Sequence, residues 1–131
     1  MAKSYLIDTS AIIKYLNGSF SETGLKFIDG IIDSESSLSF ITEIELQVWD
    51  PPNKSDLGVY QLFVYQADII GIDDSIIAET IRIRKAYKLK LPDALIAATA
   101  SVNRLTLIAD NDKDFGKVTA LKYLNPNSIT I

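Results

Sequence analysis

Six carboxylates stand out by what surrounds them. Asp8 follows the apolar run Tyr5-Leu6-Ile7 and is followed by Thr9-Ser10. Glu45 lies in Ile41-Thr42-Glu43-Ile44-Glu45-Leu46, and Asp93 follows Pro92 at the head of an alanine-rich apolar stretch. Asp110, Asp112 and Asp114 come after the apolar run Leu105 to Ala109. Ionised carboxylates brought within a few ångströms repel, and their pKa values rise unless a cation joins them. A hard dication bound by oxygen relieves that repulsion, acidifies a water and steadies charge on a phosphate. The chain has no histidine and no cysteine. This removes the commonest general base, imidazole or thiolate zinc sites, and any disulfide framework. Catalysis would rest on carboxylates, hydroxyls, Lys, Arg or Tyr, and an oxygen-held metal points to magnesium or manganese.

Each acid alone has a plainer role. Asp8-Thr9-Ser10 suits a helix cap, and Asp93 suits the positive end of a helix dipole. Glu43 and Glu45 suit a solvated helix face, and the three late aspartates suit a polar loop. Their common placement is what lifts them above these roles. Residues 4–8 read as a short buried strand, and Ala11, Ile12, Tyr15 and Leu16 then recur at helical spacing until Asn17-Gly18. Ser19 and Glu22 fit a capping box for a second helix carrying Leu25, Ile28, Ile31 and Ile32. Leu38 to Ile41 reads as a second strand, with Thr42 capping a helix through Trp49 and Asp50-Pro51-Pro52-Asn53 ending it.

Leu57 to Gln66 reads as a helix, Asp68 to Ile72 as a third strand, and Asp73 or Asp74 as the cap of a helix reaching Tyr87. Pro92 suits the first turn of the next helix, which runs to Asn103. Leu105 to Ala109 is a fourth strand, and Tyr123-Leu124 and Ile129 to Ile131 are candidates for an edge strand. Alternating strands and helices imply an α/β fold with a central, mostly parallel sheet flanked by helices. In such sheets the site lies beyond the strand C-terminal ends, where Asp8, Glu45, Asp93 and the late aspartates would converge.

The 131 residues suit a single domain over 1–131, and 47% hydrophobic with 23% charged residues marks a globular rather than a disordered chain. No stretch approaches the ~20 apolar residues of a membrane span, and no signal peptide is visible, so a cytoplasmic protein without membrane contact is expected. A net charge of −4 argues against a basic-stripe nucleic-acid binder. It leaves a nuclease open, because bound metal reverses the local sign. Arg82, Arg84, Lys85, Lys88 and Lys90 fall within nine residues that hold no acid, either a phosphate-contacting rim or a solvated helix face. Trp49, Tyr60, Phe63 and Tyr65 fit a core, an interface or base stacking.

Four blocks carry a resemblance. Ile7-Asp8-Thr9-Ser10, Ile41 to Leu46, Leu91-Pro92-Asp93 through Ala100, and Ala109-Asp110-Asn111-Asp112-Lys113-Asp114-Phe115 resemble, in order, the blocks of PIN-domain nucleases. They are most similar to VapC toxins of type II toxin–antitoxin systems. The resemblance implies a three-layer PIN-like fold and Mg2+- or Mn2+-dependent endoribonuclease activity. It also implies a homodimer and inhibition by a cognate VapB-like antitoxin. By position it makes Asp8, Glu45, Asp93 and Asp114 the catalytic metal-site acids, with Asp112 as second choice for the fourth. Thr9, Ser10 and Asn111 are the candidate substrate-binding polar residues, and Thr9 and Ser10 would hold Asp8 or a phosphate oxygen. The last block departs from the family: Ala109 stands where Thr is usual, and Asn111 where many members carry an acid.

The expected reaction is hydrolysis of an RNA phosphodiester. A phosphatase with Asp8 as nucleophile is disfavoured, because Ser10 stands where a second Asp would be needed. The other alternative is a degenerate PIN domain that binds RNA or protein without catalysis. An antitoxin is expected to place an Arg or Lys among the acids. Its amphipathic helix would lie in an apolar groove of Phe27, Ile31, Trp49 and Phe63.

Overall fold

The structure, a computed structural model, describes residues 3–129. Five short strands form one sheet: β1 (Tyr5–Ile7), β2 (Ser36–Ser39), β3 (Ile69–Ile70), β4 (Thr106–Ile108) and β5 (Tyr123–Leu124). Their order is β3-β2-β1-β4-β5, and every neighbouring pair is parallel. Seven helices surround them: α1 (Thr9–Leu16), α2 (Glu22–Ile31), α3 (Phe40–Val48), α4 (Leu57–Gln66), α5 (Asp74–Ala86), α6 (Leu91–Val102) and the short α7 (Asp112–Phe115).

Successive strand side chains point to opposite faces. Leu6 and Leu107 therefore enter one core with Ile76 and Ile83 of α5, Ala94, Ala97 and Ala98 of α6, and Phe115 of α7. Ile7 and Ile108 enter the other core, with Ala11 and Ile12 of α1, Ile28 of α2, Leu46 of α3 and Tyr60 of α4. This is a three-layer α/β fold. Burial on both faces explains why β1 and β4 lie in apolar runs rather than in alternations, whereas β2, Ser36-Ser37-Leu38-Ser39, is buried with a single apolar side chain. The small side chains of α6 let that helix lie against the sheet, which fixes where its first turn ends up.

Several boundaries differ from the sequence expectation; β2 begins at Ser36 rather than Leu38, and β3 is confined to Ile69–Ile70. The cap of α2 is Ser21, whose side chain accepts from the Gly24 amide at 3.1 Å, not Ser19. Phe20 is only 5% exposed, so the chain first buries that ring and starts the helix after it. β2 ends at Ser39, which caps α3 by accepting from the Ile41 amide at 3.2 Å. Phe40 and Ile41 are thus the first turn of a helix and not strand; a short apolar run does not distinguish the two. Thr42, expected as the cap, is fully buried inside α3. Ile129 lies outside any strand, and 130–131 fall outside the described residues.

The expected apolar groove is also different. Trp49 packs edge-on against Tyr60 with ring centroids 5.1 Å apart, Phe27 packs against Tyr5 at 5.6 Å, and Ile31 is buried. These residues and the half-buried Phe63 belong to the second core. The exposed apolar side chains of this region are Ile44 and Val48 on α3 and Val59, Leu62 and Tyr65 on α4.

Candidate active site

The C-terminal ends of β1, β2 and β4 each deliver a carboxylate-bearing segment to one edge of the sheet. Asp8 is the first residue after β1; its amide donates to Ile108 O at 2.9 Å, which locks it to the end of β4. Asp8 is 6% exposed, and Ser10 Oγ donates to its Oδ2 at 2.5 Å. Burial first, with smaller contributions from the charges of Asp93 and Glu45, pushes the Asp8 carboxyl up to about 6 against the opposing bond from the Ser10 hydroxyl.

Asp93 sits in the first turn of α6, behind Pro92. It is half-buried and also raised, chiefly by desolvation and then by the charges of Asp114 and Glu45, with Lys90 opposing. Glu45 lies on α3 and Asp114 on α7. These couplings draw Asp8, Glu45, Asp93 and Asp114 into one electrostatic cluster, although they come from four elements.

The polar residues around the cluster hold particular oxygens. Thr9 Oγ1 lies 2.6 Å from Glu45 Oε1 and 3.0 Å from Thr42 Oγ1. A hydroxyl has one hydrogen to give, so Thr9 donates to the carboxylate and Thr42 donates to Thr9. Of the two residues expected to hold Asp8, Ser10 touches it and Thr9 is turned to Glu45. Asn111 caps α7: its Oδ1 accepts from the Asp114 amide at 3.3 Å, and its Nδ2 donates to Asp114 Oδ2 at 3.2 Å. Its amide group is therefore directed at Asp114.

Asp110 and Asp112 are held differently. Asp110 pairs with Lys14 and accepts from Asn125 Nδ2 at 2.8 Å and Asn127 Nδ2 at 3.4 Å. Lys14 first, then Asn125, keep its carboxyl below the usual range. Asp112 Oδ1 accepts from the Tyr123 hydroxyl at 2.6 Å and from Asn125 Nδ2 at 3.2 Å. The same Tyr123 oxygen accepts from the Asn111 amide at 2.9 Å, so this phenol clamps the loop after β4. Burial, then the bond to Asp112, raise the Tyr123 hydroxyl. Asp112 thus faces the Tyr123–Asn125 network while Asp114 faces Asp93.

Sequence reasoning passed over Thr42, Lys14, Tyr123 and Asn125. Thr42 is three residues before Glu45, so one helical turn places both on one face, which was the available signal. Tyr123 and Asn125 carried only an edge-strand pattern. Among the described residues no three acids close into an ion-holding group as they stand.

A profile of the PIN domain matches residues 5–121. The chain belongs to the PIN-domain family. Solved structures agree with that placement. A chain of a toxin–antitoxin complex from Klebsiella pneumoniae is 30% identical, with a TM-score of 0.77 over 96% of this PIN domain and 100% of that chain. DNA-bound VapBC from Salmonella typhimurium superposes with a TM-score of 0.79 at 19% identity, over 95% of this chain and 98% of that one. VapBC2 from Rickettsia felis, bound to a promoter DNA fragment, gives 0.77 at 20% identity over the same shares. The last two likenesses speak to fold alone. No curated protein matches the chain. At the level of fold this PIN domain stands with the VapBC proteins, and at 30% identity it is similar to a chain of a toxin–antitoxin complex.

Proposed function

We propose that this PIN domain is the toxin of a VapBC-type pair, a metal-dependent endoribonuclease that hydrolyses RNA phosphodiester bonds. The observation that carries the reading is the convergence of Asp8, Glu45, Asp93 and Asp114 at one sheet edge, where burial first, and then the neighbouring acid charges, raise Asp8 and Asp93. A carboxylate cluster without cationic relief is costly, and a dication is the partner that such a cluster suits. The donor set fits: all the ligands are carboxylate oxygens, as Mg2+ and Mn2+ prefer. Asp8, Glu45, Asp93 and Asp114 would hold the ion. When bound, it would lower the pKa of a water and offset charge on the phosphate.

The chain's own residues do the orienting. Ser10 fixes one oxygen of Asp8, and the Thr42–Thr9 pair fixes one oxygen of Glu45. Asn111 fixes Asp114 to the end of the β4 loop, and Lys90 tempers the charge at Asp93. Glu43 carries no bond to the cluster; its carbonyl accepts from Gln47.

The similarity to a toxin–antitoxin complex supports a cognate VapB-like antitoxin as partner. An antitoxin Arg or Lys among the four acids would replace the metal's charge, since a guanidinium fork matches carboxylate oxygens. Exposed Ile44, Val48, Leu62 and Tyr65 give apolar surface to share with the antitoxin or with a second copy in a homodimer. The cytoplasm, where RNA and antitoxin meet, is the compartment this reading requires.

The test is incubation of the purified chain with single-stranded RNA and millimolar Mn2+, with and without chelator. Metal-dependent cleavage that Asp93→Asn abolishes is expected. RNA left intact would decide for the alternative, a non-catalytic binding module, which the commitment of Asn111 to capping favours.

A further inference from the structure

The acid cluster has two unlike flanks. On the α1 side Lys14 is engaged by Asp110. On the α5–α6 side Lys90 acts on Asp93 and Lys117 on Asp114, and the Lys88 backbone is bonded to Lys117. Lys90 is the N-cap of α6, and its charge acts on Asp93. Lys117 Nζ lies 3.9 Å from Asp114 Oδ1 and donates to the Lys88 carbonyl at 3.3 Å. Lys88 and Lys90 are exposed, and among the described residues neither side chain forms an ion pair.

These lysines sit on a tied ledge rather than on a loose loop. The Tyr87 hydroxyl donates to Thr119 Oγ1 at 3.1 Å and accepts from the Thr119 amide at 3.2 Å. With the Lys117–Lys88 bond, this joins residues 87–90 to 117–119. Leu89, 4% exposed, anchors the ledge in the core between Lys88 and Lys90. Arg82 is a different case: Glu79 holds it through Nε at 2.7 Å and Nη2 at 2.8 Å. Within the basic run Arg82 is thus paired on α5, Arg84 and Lys85 are exposed on the same helix, and Lys88 and Lys90 lie on the ledge.

A cationic ledge touching an acidic cluster fits a polyanion that must enter a site which repels it. One phosphate would meet the acids and their metal, and its neighbours would rest on the lysines. Ammonium groups are point charges that hold phosphates without reading bases. We infer that the ledge of residues 87–90 and 117–119 binds the phosphate backbone of single-stranded RNA beside the scissile phosphate, through Lys88, Lys90 and Lys117. This rests on the ribonuclease reading and adds to it where the substrate lies.

The test uses the full chain carrying Glu45→Gln, so that RNA stays intact, with Mg2+ held constant. Binding of a labelled single-stranded RNA is followed by anisotropy as NaCl is raised. Each phosphate contact to a single strand contributes about 0.7 to the slope of log K against log salt. Adding Lys88→Gln and Lys90→Gln, both at exposed positions, should therefore lower the slope by about 1.4. Lys54→Gln is the control, because Lys54 follows α3, which runs away from the site edge. In the cleaving protein, the two lysine changes should raise KM more than they lower kcat. An unchanged slope, in a protein whose wild type cuts RNA, overturns the ledge and leaves the nuclease standing. Absence of both cutting and RNA binding in the wild type removes the nuclease reading and the ledge with it.

Discussion

Two groups of aspartates stand at the same sheet edge under opposite conditions. Asp110 and Asp112 are met by donors: Lys14, Asn125 and Asn127 for the first, Tyr123 and Asn125 for the second. Asp8 and Asp93 are desolvated and lie near other acids, with the Ser10 hydroxyl donating to Asp8, and their carboxyls are raised where that of Asp110 is lowered. All four occupy places that the sequence marks alike, at or near strand ends and helix starts. The difference teaches that position selects candidates, and that the donors facing each carboxylate separate a structural acid from one suited to a cation.

The sharpest break in that comparison is catalytic. Removing one acid of the repelling group should remove most of the charge stabilisation of the transition state. That is worth several kcal/mol, or roughly a thousandfold in rate. Asp93→Asn and Glu45→Gln are each expected to lose cleavage on this scale in a gel assay with Mn2+. Glu43→Gln should stay near wild type, since Glu43 and Glu45 are two apart on α3 and diverge. Inversion of the two glutamate results would move the site to the other face of α3.

The next effect is on stability and separates the two groups by sign. Asp8 goes from 3.8 to about 6 on folding, so the folded state binds its proton more tightly than the unfolded chain does. Its charge therefore destabilises the metal-free protein above pH 6, and this penalty fades as pH falls from 6 towards 4. At neutral pH the penalty is at most roughly 3 kcal/mol. Asp8→Asn should raise the metal-free melting temperature at neutral pH, flatten its dependence between pH 7 and 5, and abolish the rise that Mn2+ gives the wild type by mass action. Asp110, lowered by Lys14, behaves oppositely: its contribution is present above the unfolded pKa and is lost as pH falls through the folded one. Asp110→Asn should lower the melting temperature at neutral pH. Scanning calorimetry in chelator, with and without added Mn2+, reads all of these changes.

Most of the fold was legible because its signals are local. Five strand positions, the helix from Leu57 to Gln66, the Asp73 cap and the proline in the first turn of α6 all follow from apolar runs and breakers. The start of α3 was not legible, because Leu38, Phe40 and Ile41 together look like strand and only the Ser39 side-chain bond marks the change. Asp8, Glu45, Asp93 and Asp114 could be nominated from strand ends and block order. The relay from Thr42 and the clamp by Tyr123 could not, since each depends on a contact between elements 33 or 12 residues apart. The groove expectation failed for a related reason: aromatic residues mark burial, and pattern alone does not say whether a partner or the chain's own core buries them.

The relay provides a third test, smaller than removal of an acid. Thr42 is buried and touches Glu45 only through Thr9, so it is a positioning residue. Thr42→Val keeps the shape and deletes the donor. The Thr9 hydroxyl remains, but its orientation toward Glu45 is no longer enforced. Residues that orient metal-site acids typically matter by about ten- to a hundredfold in activity or metal affinity. Cleavage should fall within that range, with a higher Mn2+ concentration needed for half-maximal rate, and Thr42→Ser should restore both. A purely structural role would lower the melting temperature without moving the Mn2+ dependence.

The smallest expected effect falls on Asp112, and it sets a limit on the comparison. Asp112 is exposed and accepts from Tyr123 and Asn125, both of which retain other partners if it is changed. Asp112→Asn keeps an acceptor for the tyrosine hydroxyl and removes only the charge. The loss is that of one charge-assisted bond reduced to a neutral one, about 1 kcal/mol of stability. Cleavage should stay within about fivefold of wild type, because a shift of less than about 1 kcal/mol in the barrier changes the rate by no more than that. Asp114→Asn, two residues away on the same short helix, should lose far more, since Asp114 and not Asp112 acts on Asp93. If Asp112→Asn abolishes cleavage while Asp114→Asn is tolerated, the fourth acid is Asp112. Its bonds to Tyr123 and Asn125 would then have to open before the site can act.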